Sequence, residues 1–289
     1  MHSWINRSKL RVLILVSMIF SFVLIGTINE FSKNTFSYSI AEAAKSTVTF
    51  NTKNKVKYAE YNGKSYKVIK VKGGDLSGKR QKNVAVDIGY GNRLYWGFTN
   101  KYGQLVYVVA DKITLQNPKT EKVLSNGRYY KDEANVPGTE KKDLDQGHVI
   151  ADSLGGVSNA YNITPQNSIL NRLGDQAYME KVIRDAGGCT EFKATITYPN
   201  TTTQIPSHYK FTYKLKGEQI TDEFDNVNPD KVNKPIIDAQ KDLAKIDKNG
   251  DGKVTIAEAK AAGYSMPIYS DHWLYKYMDD RDSDGMVGE

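Results

Sequence analysis

A single cysteine, Cys189, stands in the 289 residues. No intramolecular disulfide can form, so the fold must rest on its core or on bound metal. The lone thiol reads as buried packing rather than as a nucleophile. Nor does any internal repeat run through the body of the chain.

What the N-terminus holds is an export pattern. Arg7, Lys9 and Arg11 precede the apolar run 12–28 (VLILVSMIFSFVLIGTI), and the small residues AEAA follow at 41–44. Charge, apolar run and small residues in that order predict a secretory signal over 1–44, cleaved near Ala43 or Ala44. The long gap before that site leaves an uncleaved membrane anchor open, since the run approaches the lower length for spanning. The expected location is extracellular, with membrane or cell-wall association as the variant.

Charged residues make up 25% and hydrophobic residues 39%, as in an ordinary soluble globular protein. Nineteen tyrosines favour substantial β-structure. Net charge is +7, unevenly spread: residues 236–289 hold seven Lys/Arg against eleven Asp/Glu, so the excess positive charge lies in the middle of the chain. A basic body favours polyanionic partners through steering and counterion release, although charge alone does not distinguish nucleic-acid binders from other basic proteins.

Alternation predicts strands at 66–71, 83–88, 93–98 and 105–110, the last two as a hairpin across 100–103. Strands at 191–198 and 208–215 pair antiparallel across 199–206. Between these sets the apolar spacing predicts one helix over 168–186, ended by Gly187 and Gly188. The domain boundaries expected are 45–225 for the body, 226–235 for an Asn- and Pro-rich linker, and 236–289 for a small acidic domain. The fold class is α+β.

Residues 145–156 read DQGHVIADSLGG and 159–172 read NAYNITPQNSILNR. Phosphodiester hydrolysis needs a base to take a proton from water and a divalent cation to hold the phosphate and neutralise the leaving oxygen. His148 suits the base, on a segment HVIA expected as a strand. Asn171 suits a hard cation through its amide oxygen, because magnesium keeps several waters and needs few protein ligands. A helix-capping role for Asn171 stays open, as does an ordinary structural role for His148. Gly155 and Gly156 allow a tight turn between the two.

This string resembles the DNA/RNA non-specific endonucleases of the ββα-metal fold, in the type of the secreted and DNA-entry nucleases of Gram-positive bacteria. The similarity is clear over about 145–186 and looser across 45–225. It implies His148 as general base, Asn171 as magnesium ligand, with manganese as a substitute, and Asn162 as a supporting residue. It also implies DNA, and RNA as a second case, as substrates cut without sequence preference. Gln146 departs from the family, which commonly has arginine there. Glu180 is a candidate for orienting the attacking water, although nine residues after Asn171 does not put both on one face of one helix. Asp175 competes for that role, and a solvated helix position is the plain alternative. Arg128 or Arg93 would stabilise the phosphate. Asp145 is expected to orient the loop or pair with a cation.

Residues 247–258 (DKNGDGKVTIAE) fit the calcium-loop pattern at each constrained position. Asp247, Asn249, Asp251 and Glu258 offer side-chain oxygens and Lys253 its carbonyl, with Thr255 acting directly or through water. Gly252 permits the sharp turn. Helices are expected at 236–246 and 256–262, so the segment looks like an EF-hand. A second run, 280–289 (DRDSDGMVGE), offers Asp280, Asp282, Asp284 and Glu289. It resembles the DxDxDG calcium motif of extracellular bacterial proteins, but Gly288 stands where that motif has cysteine, and a disordered acidic end stays open. Two rival readings remain: a non-catalytic extracellular DNA-binding or uptake protein, and a calcium-dependent surface module. Oligomeric state is not legible.

Overall fold

Val84 and Val86 enter one buried cluster while Ala85, between them, enters another, as two-residue periodicity demands of a strand with both faces covered. The same alternation puts Tyr95 and Val108 on one side and Trp96 and Val109 on the other. These strands lie at the centre of a nine-stranded sheet in the computed structural model, which describes residues 47–233 and 242–289. The expected signal region lies outside the described residues, as do 234–241.

The strands are β1 (Thr49–Lys53), β2 (Val56–Tyr61), β3 (Lys64–Ile69), β4 (Val84–Asp87), β5 (Tyr95–Thr99), β6 (Leu105–Ile113), β7 (Leu144–His148), β8 (Ile163–Asn167), β9 (Cys189–Thr197), β10 (His208–Leu215) and β11 (Glu218–Asp225). The large sheet runs β1-β2-β3-β4-β5-β6-β9-β10-β11. All neighbours are antiparallel except β3 and β4, which are parallel. The expected hairpin is β5–β6 and the later pair is β9–β10.

On one face of the sheet lies a second layer. Its strands β7 and β8 pair with each other, Gly147 opposite Thr164 and His148 opposite Ile163. Ile150, Leu154, Ile163, Leu170, Met179 and Ile183 from this layer share a core with Val86, Tyr95, Val108, Phe192 and Phe211 of the sheet. Each such side chain contributes roughly 1.5–3 kcal/mol through burial, so the layer that carries the 145–186 string is bound firmly to the sheet.

The single helix expected over 168–186 is two. Helix α1 spans Ser168–Arg172 and α2 spans Asp175–Asp185. Asn167 caps α1 by accepting from the Ile169 and Leu170 amides. The chain breaks at Leu173–Gly174. A Cβ on Gly174 would lie 2.7 Å from the Met266 carbonyl oxygen and 2.8 Å from Leu170 Cα, so only glycine fits this approach. A further correction concerns His148: it ends β7 rather than opening a strand over HVIA.

C-terminal to residue 241, α3 (Leu243–Ile246), α4 (Ile256–Ala261) and the short pair β12 (Ile268–Tyr269) and β13 (Met286–Val287) surround their own core of Ile246, Val254, Tyr264, Met266, Ile268 and Leu274. Among the described residues no helix is long and apolar enough to cross a membrane. The segment expected as a linker is partly fixed: Asn226 donates to the Pro165 and Pro206 carbonyls and accepts from the Asn167 amide.

Candidate active site

His148 is nearly buried, at 12% side-chain exposure. Its Nε2 lies 3.3 Å from Ser158 Oγ and 3.4 Å from Asp152 Oδ2. Asp152 stands in the helical turn Asp152–Leu154, and its other oxygen accepts the Tyr129 amide at 2.8 Å. A carboxylate only accepts, so Nε2 carries the proton and Nδ1 is left as the basic nitrogen. Burial holds the imidazole below its ordinary value of 6.5; the Asp152 charge opposes that shift and the Arg128 charge adds to it.

Asn171 sits near the end of α1. Its amide nitrogen donates to Asp145 Oδ2 at 3.2 Å, and Arg172 holds the same carboxylate with two bonds of 2.7 and 2.6 Å. The Asn171 oxygen therefore faces the other way, toward Gly147. A Cβ at Gly147 would lie 3.2 Å from it and 2.4 Å from Gln166 Oε1, so a side chain there would fill the space between β7 and these two amides.

Gln166 is 1% exposed, and its oxygen has no hydrogen-bond partner. Its orientation follows from a chain of bonds. The His148 carbonyl accepts from Gln176 Nε2 at 3.2 Å, which turns the Gln176 oxygen toward Gln166 Nε2 at 3.3 Å and leaves Gln166 Oε1 pointing at Gly147. Two amide oxygens free to accept thus converge beside the residue that precedes His148. An orphaned buried oxygen, a second amide oxygen and a cradle kept open by glycine fit a hydrated divalent cation.

Glu180 on α2 accepts from Gln176 Nε2 at 2.8 Å. Burial pushes its carboxyl up to about 7, with the Asp152 charge acting in the same direction. The break at Gly174 removes the premise that kept Asn171 and Glu180 apart, because they stand on different helices. Asp175, the expected competitor, turns elsewhere: Ser265 Oγ and the Met266 amide donate to it at 2.8 and 3.3 Å, and Lys260 pairs with it at 3.1 Å.

Arg128 pairs with Glu133 and is close enough to His148 to shift it. Arg93 is occupied, donating to the carbonyls of Thr114, Tyr90 and Leu115 and pairing with Glu121 at 2.8 Å. Of the two arginines left open by the sequence, Arg128 stands by the site. Gln146 donates to the Glu133 carbonyl and Asn135 Oδ1. Asn162 is fully buried and bonds Ile150 on both sides and the Val157 carbonyl. It cannot meet substrate; it closes the loop between His148 and β8. Asp152, Ser158, Gln166 and Gln176 were not singled out from the sequence. The position of Asp152, four residues after His148, was the one available signal.

Residues 83–217 match the family model described as DNA/RNA non-specific endonuclease. This stretch is a nuclease domain, which hydrolyses phosphodiester bonds. A crystal structure of NucA from Streptococcus agalactiae with magnesium ion bound is 17% identical, over 63% of this chain and 84% of that chain, at a TM-score of 0.35. The same protein with no metal bound gives the same values. No curated protein gives a match. His148, Asn162, Asn171, Glu180 and Arg128 all lie within the nuclease domain.

The C-terminal acidic residues fall into two places. In the first, Asp247 accepts the Gly250 and Gly252 amides at 2.7 and 2.8 Å, Asn249 accepts the Asp251 amide, and Asp251 accepts the Lys253 amide. Thr255 and Glu258 form a capping box on α4, so Glu258 is bonded to its own loop. Asp280, Asp282 and Asp284 form the second place, with ligand atoms within 4.8 Å of one another. Burial raises the Glu289 carboxyl, and the charges of Asp284, Asp282 and Asp280 add to that rise.

Proposed function

We propose that the chain is a secreted, magnesium-dependent endonuclease of the ββα-metal type, cutting DNA, and RNA as well, without sequence preference. The observation that carries the reading is the pair of amide oxygens, on Asn171 and Gln166, turned toward Gly147, the residue before His148, while the Gln176 amide bridges the His148 carbonyl and Glu180. Nδ1 of His148 takes the proton from the attacking water, while Asp152 and Ser158 keep the imidazole in the required tautomer. Asn171 would hold magnesium, or manganese, through its oxygen, with Gln166 Oε1 beside it. Bound there, the cation would neutralise charge on the phosphate and on the leaving oxygen. Glu180 orients the water. Arg128 faces the phosphate, and the basic body follows the nucleic-acid backbone.

The test is plasmid and RNA degradation with magnesium and then with EDTA. Cleavage that EDTA abolishes supports the reading; binding without cleavage under both conditions refutes it in favour of an uptake receptor.

A second reading concerns the tail. We infer that Asp280, Asp282, Asp284 and Glu289 bind calcium, and that the 247–258 loop binds a second ion through Asp247, Asn249, Asp251, Lys253 and Glu258. Asp280, Asp282 and Asp284 bring their ligand atoms within 4.8 Å of one another, and their charges add to the rise that burial imposes on Glu289, which favours a cation among them. Calcium titration of the full chain by calorimetry tests it, with Asp282→Asn expected to remove one binding event.

A further inference from the structure

Helix α2 carries Gln176 to the His148 carbonyl, with Glu180 bonded to the same Gln176 amide, and its first residue is Asp175. The carboxylate of Asp175 is 2% exposed, so something must compensate its charge. The compensation comes from three residues outside the nuclease domain. Lys260 Nζ lies 3.1 Å from one oxygen, and Ser265 Oγ and the Met266 amide lie 2.8 and 3.3 Å from the other. Lys260 sits on α4, the helix after the first acidic loop. Its ammonium also lies 2.8 Å from Asp222 Oδ1 on β11, whose second oxygen accepts the Tyr213 hydroxyl at 2.7 Å. One cation therefore ties the start of α2 to the large sheet. The two buried carboxylates it joins would repel each other without it.

The backbone makes the same connection. The Met266 carbonyl fills the notch at Gly174, where α1 gives way to α2. Asn233 holds Ser265 in place with two bonds of 2.8 Å, one to its amide and one to its carbonyl. The residue after Asp175 is Gln176, which bonds the His148 carbonyl, so the lever from tail to site is one residue long.

We propose that the C-terminal segment is a positioning element of the nuclease site: Lys260, through Asp175, sets α2 so that Gln176 and Glu180 face His148. The nuclease domain thus depends on residues 260–266 for the geometry of its own helix. This rests on the reading of Gln176 and Glu180 as serving His148.

The test uses the full chain with Lys260→Met, Lys260→Arg and the milder Ser265→Ala. Gln104→Ala serves as a control that removes three hydrogen bonds beside the β5–β6 turn, away from the site. Steady-state cleavage is measured well below each melting temperature, with amide hydrogen exchange on the same samples. Lys260→Met is expected to lower kcat by about tenfold or more, since small displacements of catalytic groups are costly. KM should stay within about threefold, because no substrate contact is lost. Lys260→Arg should recover most of the loss. Exchange should quicken over 175–185 and stay unchanged in β6 and β9. Unchanged kcat in Lys260→Met, or an equal loss in Gln104→Ala, overturns the proposal. Unaltered exchange over α2 overturns it too, even if wild type proves unable to cut DNA, an outcome that would sink the nuclease mechanism separately.

Discussion

The amide nitrogen of Asn171 lies 3.2 Å from Asp145 Oδ2, and that contact decides where the Asn171 oxygen points. A carboxylate offers no donor, so the amide cannot turn over without losing the bond. The oxygen is held toward Gly147, and the Asp145 carboxylate is itself fixed by Arg172, which draws its carboxyl below the usual range against the effect of burial.

Metal affinity should follow this arrangement. Asp145→Ala frees the amide to rotate and is expected to weaken manganese binding by about 10- to 100-fold. Gly147→Ala places a methyl 2.4 Å from Gln166 Oε1 and 3.2 Å from Asn171 Oδ1, filling the cradle. Manganese titration by electron paramagnetic resonance checks both; wild-type affinity in the two variants would remove Asn171 from the metal site.

The rate should respond to pH as the charges near His148 dictate. Burial already lowers its pKa, so the base is free below the ordinary imidazole range and the rising limb of activity lies below pH 6.5. Asp152 raises that pKa and Arg128 lowers it. Asp152→Asn should therefore shift the limb to lower pH, with a loss of rate from the disturbed tautomer. Arg128→Met should shift it to higher pH. Profiles of kcat/KM for the three proteins show whether both signs hold.

Glu180 bears on stability. Its carboxyl is raised from 4.5 to about 7, so the folded state favours the protonated form. That contribution is fully present below the unfolded value and is lost as pH rises through about 7. Glu180→Gln removes the buried charge and should stabilise the protein at pH 8 by roughly 1–3 kcal/mol, with little gain at pH 4.5. Activity should fall at the same time. Calorimetric melting at the two pH values, beside a cleavage assay, measures both effects.

Cys189 should be inert. Burial pushes its thiol up to about 12, and the side chain lies in the sheet core. Iodoacetamide is expected to leave the native protein unlabelled at pH 8 and to label it stoichiometrically in denaturant. Rapid labelling of the folded chain would mean that the end of β9 opens.

The strands of the large sheet were legible where alternation was strong, as in β5, β6, β9 and β10. The pair β7–β8 was not, because LDQGH and ITPQN carry Gly147 and Pro165 and little alternation; their pairing is dictated by the layer beneath them. The helix over 168–186 was read as continuous because its apolar spacing runs through Leu173. What breaks it is the Met266 carbonyl, some ninety residues away, which no local pattern announces. His148, Asn171 and Glu180 were legible as residue types in order. Asp152, Gln166 and Gln176 were not, since an aspartate in a turn and two glutamines carry no signature until packing turns them toward His148. Spacing put Asp175 one turn from Asn171 as a competitor to Glu180, and its bonds to Lys260, Ser265 and Met266, distant in sequence, carry no local signal.

The most direct measurement is the cleavage rate of supercoiled DNA by purified wild type and His148→Ala, with magnesium and with EDTA. A loss of about 10²- to 10⁴-fold in kcat for the variant, with DNA affinity retained and wild-type cleavage abolished by EDTA, is the predicted result. His148→Ala that cuts at the wild-type rate would contradict the account.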